Sequence, residues 1–152
     1  MTIAPVEEAD LADLLPLLRG YADFYGEAPS DPDLLALSRA LIADPEREGV
    51  QFLARDGDGH GDGAAVGFAT VFWLWSTLSA SRIGLMNDLF VAEQARGGGA
   101  AEALIERCRS ACRDRGATRL VWQTAKDNRR AQEVYERVGG TREEWLDYWL
   151  AA

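Results

Sequence analysis

The stretch Leu85–Leu104, LMNDLFVAEQARGGGAAEAL, decides how this chain is read. Leu85, Met86, Leu89, Phe90 and Val91 are apolar and strand-forming, and Ala92-Glu93-Gln94-Ala95 breaks the run. Arg96-Gly97-Gly98-Gly99 then leads into Ala100-Ala101-Glu102-Ala103-Leu104, a strong helix former. Helix propensity gives no reason for three glycines at a helix entrance. They bare backbone amides and admit close approach. Bare amides at a helix N-terminus favour an anion, phosphate above all, and Arg96 adds positive charge. The reading is a strand, a diphosphate cradle and a helix.

Two cradles do not fit. A nucleotide-hydrolase loop ends in Gly-Lys-Ser/Thr, whereas Gly99 precedes Ala100-Ala101, and Glu102 occupies the third-glycine position of the dinucleotide fingerprint. The pattern Arg-x-x-Gly-x-Gly/Ala does fit, at Arg96, Gly99 and Ala101. A second pattern, Asn-x-x-Ala-x-x-x-Tyr-x-x-x-Gly, fits at Asn128, Ala131, Tyr135 and Gly139. Helical spacing sets Asn128, Ala131 and Tyr135 on one face. In this order, with a strand between them, the two patterns resemble the signatures of the GNAT superfamily of acyl-CoA-dependent N-acetyltransferases. The strand Gly84-Leu85-Met86-Asn87-Asp88-Leu89-Phe90-Val91 is similar to that of the diamine (spermidine/spermine) acetyltransferase branch and small bacterial relatives. It departs where Asn87 replaces a glutamate that contacts the polyamine.

The remaining chain supports one domain, residues 1–152. A chain of 152 residues can bury a proper core. A net charge of −9 argues against nucleic acid and anionic membrane as partners. No stretch approaches the roughly 20 apolar residues of a membrane span, and the start MTIAPVEEAD lacks the features of a signal peptide. Cys108 and Cys112 lie four apart on one expected helix, unsuited to a disulfide. The expectation is a cytoplasmic, reduced, metal-free protein. The segment DGDGHGDG (56–63) is superficially like a calcium loop, but His60 and Gly67 stand where acidic or amide ligands belong.

Periodicity gives a strand over Thr2–Val6 and a helix over Glu7–Tyr25 that Pro16 should kink or divide. A helix opening at Asp31-Pro32 follows, then strands over Val50–Arg55, Ala64–Trp75 and Arg82–Val91. A helix over Gly99–Arg115, a strand over Arg119–Thr124, a helix over Asn128–Val138 and a last strand over Glu144–Leu150 complete the order βααβββαβαβ. A right-handed crossover makes the strands around Leu89 and Val121 parallel. The fold class is α/β (α+β). The resemblance implies a GNAT-type central mixed sheet, mostly antiparallel, with that one parallel pair and flanking helices.

The resemblance also implies a mechanism and its residues. Acetyl-CoA is the co-substrate, and a primary amine of a small molecule receives the acetyl group directly. Amides of Gly97, Gly98, Gly99, Ala100, Ala101 and Glu102 hold the coenzyme A diphosphate, with Arg96 assisting. The backbone of Leu89, Phe90 and Val91 pairs with the pantetheine arm, which Asn128 and Ala131 flank. Tyr135 donates a proton to the departing sulfur. Asp88 is the first candidate for general base, with Glu144 and Asp147 as alternatives; a structural carboxylate is the competing reading of Asp88. Asn87, Tyr25, Phe24, Trp73 and Trp75 are candidates to line the acceptor pocket. Trp145, Tyr148 and Trp149 either cover the chain's own sheet or pack against a second subunit, and a homodimer is expected. Peptide or protein N-acetylation and a non-catalytic acyl-CoA-binding module are the alternatives.

Overall fold

The computed structural model describes residues 1–57 and 63–151. Strand β1 (Thr2–Pro5) and a short 3₁₀ turn (Glu8–Asp10) lead into helices α1 (Leu11–Tyr25) and α2 (Asp31–Ala43). Then come β2 (Gly49–Arg55), β3 (Ala65–Ser76), β4 (Ser81–Val91), α3 (Ala100–Asp114), β5 (Leu120–Val121) and α4 (Arg129–Arg137). The five strands form one sheet in sequence order; β4–β5 is parallel and every other pair antiparallel. His60 and most of the 56–63 segment lie outside the described residues.

Alternation in the strands separates two cores. Phe52, Ala54, Ala69, Val71 and Met86 face α3, whose Leu104, Ile105, Cys108 and Cys112 are buried against them. Leu53 and Phe68 face α1 and its Leu11, Leu14, Leu17 and Leu18. Cys108 and Cys112 are both free and buried in the first core. Burial pushes the Cys108 thiol up to about 12 and that of Cys112 up to about 11. Neither supplies a thiolate at neutral pH.

Pro16 lies inside α1, which it does not divide. Two expectations are corrected. The expected strand over Arg119–Thr124 is two residues long. The expected last strand over Glu144–Leu150 is not formed: Trp145, Leu146, Tyr148, Trp149 and Leu150 are each at least 74% exposed. A β-forming sequence makes a strand only where an edge accepts it, and among the described residues the β5 side gives this segment none.

Candidate active site

A register shift in β4 organises the site. Thr70 pairs with Asp88 and Val71 with Met86, so Asn87 has no partner on β3. This is a β-bulge, which places an extra residue in one strand and re-aims side chains. Its consequence is visible in the packing. Met86 joins the α3 core, whereas Phe90 packs against the α1 core. The two are four residues apart and would share a face in an unbroken strand. Asp88 is thereby turned towards α1, beside Tyr21.

Tyr21 meets Phe68 and Phe90 edge-on, at 5.9 and 6.4 Å, and its hydroxyl donates to the Asn87 carbonyl at 3.3 Å. Gly20 lets α1 come this close, since a Cβ there would stand 2.9 Å from the Phe90 ring. Asn87 donates from Nδ2 to Asp88 Oδ1 at 2.9 Å. Burial raises the Asp88 pKa above the ordinary carboxylate value; the polar groups of Thr70, Asn87 and Tyr21 beside it oppose the rise. Burial, with Asp88 next to it, pushes the Tyr21 phenol far up.

Beyond the bulge β4 has a free edge. Its pairing with β5 is confined to Gly84–Leu85 against Leu120–Val121, extended by Gly84 N–H to Arg119 and Thr118 N–H to Arg82. From Asn87 to Val91 the β5-facing backbone groups have no strand partner among the described residues. An extended ligand can add itself to such an edge. Past this gap stands α4. Its Tyr135 packs edge-on against Trp122 at 5.3 Å. Burial raises the Tyr135 phenol, and a hydrogen bond with Thr124 opposes this. Tyr25 is in edge contact with Tyr21 at 5.1 Å at the end of α1.

The glycine turn follows β4. Gly97 and Gly99 have φ of +86° and +83°, a region that L side chains enter at a cost, while Gly98 does not. Gly99 caps α3 without a side-chain bond. Among the described residues the Ala100 and Ala101 amides have no acceptor, and the Glu102 amide meets only its own carboxylate. Open space surrounds the Cβ positions of Gly97 and Gly99. Arg96 Nε donates to the Val91 carbonyl at 2.9 Å, tying the turn to the end of β4. Glu102 pairs with Arg137 at 2.6 Å and joins α3 to α4. These bare donors and the free β4 edge suit a ligand with a phosphate head and an extended amide arm, as coenzyme A has.

Asn128 caps α4, its Oδ1 accepting from Ala131 N–H at 3.2 Å, which leaves Nδ2 as its free handle. The structure does not bring Trp73 to Tyr25. Trp73 pairs with Gly84 at the far end of β4, is buried under Arg115 at 4.8 Å, and donates to the Pro45 carbonyl at 2.9 Å. Trp75 is exposed beneath Arg82, and Phe24 is exposed beside Tyr25. Asp147 accepts from Gln123 at 2.7 Å, and Glu144 is exposed. Tyr21 is the site residue that the sequence does not single out: on α1 its spacing reads as part of the apolar face, where it also packs. Its only sequence signal is its place beside Gly20.

Comparison with known proteins agrees with this geometry. The sequence profile of the Acetyltransferase (GNAT) family matches residues 14–140. The chain is 31% identical over 139 residues to the "Uncharacterized N-acetyltransferase YhfO" of Bacillus subtilis, covering 91% of this chain and 89% of that one. It is 32% identical over 107 residues to the D-amino-acid N-acetyltransferase HPA3 of Saccharomyces cerevisiae, covering 70% and 65%. The crystal structure of a probable acetyltransferase superposes with a TM-score of 0.85 at 28% identity, covering 100% of this chain and 98% of the other. The fold is also that of AAC(6')-Iy, solved with a coenzyme A bisubstrate analogue, with a TM-score of 0.83 at 19% identity, covering 99% of this chain and 97% of that one. Members of the matched family use acetyl-CoA. The chain belongs to the acetyltransferase (GNAT) family.

Proposed function

We propose that this protein, acting as one domain, transfers the acetyl group of acetyl-CoA directly to a primary amine of a small molecule. The observation that carries this reading is the Asn87 bulge. It turns a buried carboxylate towards α1, beside the part of β4 whose other edge the short β5 leaves unpaired. Acetyl-CoA supplies an activated acyl thioester. The amides of Ala100 and Ala101 would hold its diphosphate, with Arg96 fixing the turn and Asn128 Nδ2 free for the pantetheine arm. A backbone amide within Leu89–Val91 would polarise the acyl oxygen.

Asp88 takes the proton that an ammonium must lose before its nitrogen can attack. A carboxylate raised by burial is a better base for this than one in water. Tyr135 keeps its proton at neutral pH, because burial raises its pKa, and is poised to give it to the leaving thiolate. The glutamate expected by similarity at position 87 is an amide here, but that amide hydrogen-bonds Asp88, so the site retains one carboxylate. Tyr21 and Tyr25 border the acceptor side and suit a cationic amine. The acetylated class of the yeast relative, D-amino acids, is included among the candidates.

The test is release of coenzyme A thiol from acetyl-CoA across polyamines, D- and L-amino acids, aminoglycosides and peptides, with Tyr135→Phe alongside. Amine-dependent release that falls about 100-fold or more in the variant supports the reading. Binding of acetyl-CoA with no amine-dependent release would overturn it in favour of a binding module, and release with peptides alone would replace the substrate class. We also propose a homodimer through the exposed aromatic segment 145–150. A monomeric mass by light scattering at micromolar concentration would refute that.

A further inference from the structure

Three directly opposed residues cross the α1-facing side of the sheet: Gln51 on β2, Thr70 on β3 and Asp88 on β4. Leu53, Phe68 and Phe90, next to them on that face, are apolar. Gln51 and Thr70 are 2% and 0% exposed. Burying two polar side chains in such a face is unfavourable unless they bond to something. Gln51 Nε2 donates to Thr70 Oγ1 at 3.2 Å, while Gln51 Oε1 has no hydrogen-bond partner.

We infer that Gln51 and Thr70 are positioning residues, a buried donor chain that aims the Thr70 hydroxyl proton at Asp88 and holds this carboxylate ionised and ready as a base. The direction follows from donor counting. A threonine hydroxyl has one proton. With Gln51 donating to its oxygen, that proton is free to point across the strand pair to Asp88, where an ionised carboxylate is an acceptor only. The opposed side chains on antiparallel strands are about 5 Å apart at Cβ, within reach. Chains of this kind polarise each bond in turn. The orphaned Oε1 is a cost of the arrangement, and such a cost is kept where the other end of the amide has a use. The groups facing Asp88 are Thr70 from β3, Asn87 from its own strand and Tyr21 from α1, with Tyr25 behind Tyr21. All are neutral, so hydrogen bonding, and not an opposing charge, counters the burial of Asp88.

The inference rests on the reading of Asp88 as the base, and the experiment separates the two. The Asp88 carboxyl is titrated by carbon-13 NMR in the ligand-free protein, for the wild type, Thr70→Val, Thr70→Ser and Gln51→Met. The Asp88 midpoint is expected to rise by about half to one pH unit in Thr70→Val, to return in Thr70→Ser, and to rise by a smaller amount in Gln51→Met. The acid limb of kcat/KM should move with it. An unchanged Asp88 midpoint in folded Thr70→Val overturns the inference. If that variant does not fold, an unchanged midpoint in Gln51→Met does so, since that change leaves the hydroxyl in place and removes only its orienting donor. NMR shifts without a matching kinetic shift would leave the chain standing and remove Asp88 from the role of base.

Discussion

Replacing the three consecutive glycines by alanine, one at a time, separates backbone strain from lost contacts. Gly97 and Gly99 have positive φ with open space around the Cβ position, so alanine adds strain there and no clash. The left-handed conformation costs a non-glycine residue roughly 1–2 kcal/mol. For a chain of 152 residues, each kcal/mol lowers Tm by about 2–4 °C. Gly97→Ala and Gly99→Ala should therefore each melt about 2–8 °C below the wild type. Gly98 lacks positive φ, and its Cβ would meet only the Ala95 carbonyl at 3.5 Å, an ordinary contact. Gly98→Ala should melt within about 1–2 °C of the wild type, as surface changes do. Calorimetric scans read the melting, and titration with coenzyme A reads the cradle. Gly99 is the cap of α3, and relaxing it to negative φ re-aims the Ala100 and Ala101 amides. A tenfold loss of affinity, about 1.4 kcal/mol, is expected for Gly99→Ala and less than twofold for Gly98→Ala. Equal effects at 98 and 99, in melting and affinity together, would refute the assignment of the turn as a strained amide cradle.

Asp88→Asn should lose amine acetylation yet gain stability at neutral pH. An aspartate whose pKa is raised on folding favours the folded state when protonated; that stabilisation is complete below the unfolded pKa and is lost as pH rises through the folded one. The gain in Tm should thus be present at pH 7 and vanish below the ordinary carboxylate range. Gly84→Ala should cost about 1–3 kcal/mol by overpacking, because its Cβ would stand 2.5 Å from Cys112 Sγ and 3.1 Å from Val71; chemical denaturation checks this. Glu102→Gln should cost no more than about 1 kcal/mol, since its pair with Arg137 is largely exposed. Arg137 holds the Glu102 pKa below its usual value, so that difference should persist above the usual value and disappear as pH falls through the lowered one.

Much of the fold was legible because each element carries a local signal. Pro32 at the start of α2, the glycines before α3 and Gly139 after α4 mark their ends by backbone chemistry alone. Apolar runs marked β2, β3 and β4 to within one residue. The uncapped start of α3 was legible for the same reason, since a glycine at the cap position has no side chain to accept from the first amides. The last strand was not. Glu144–Leu150 has the composition of a strand, but a strand exists only with a hydrogen-bonded neighbour, and composition does not name one. Trp73 misled likewise: an aromatic on a strand reads the same whether it lines a cleft or, as here, closes a core.

The sequence by itself determined where the chain turns, which helix end is bare of caps, and that Asn87 and Asp88 sit on the strand before it. Only the tertiary structure decided which way those residues face. Alternation along an unbroken strand would put Met86, Asp88 and Phe90 on one side. The shift of register between β3 and β4 at Asn87 sends Met86 to the α3 core and Asp88 towards Tyr21 and Thr70. A bulge depends on how two strands far apart in sequence pair, so the facing of Asp88 is a property of the sheet and is not written in the strand alone.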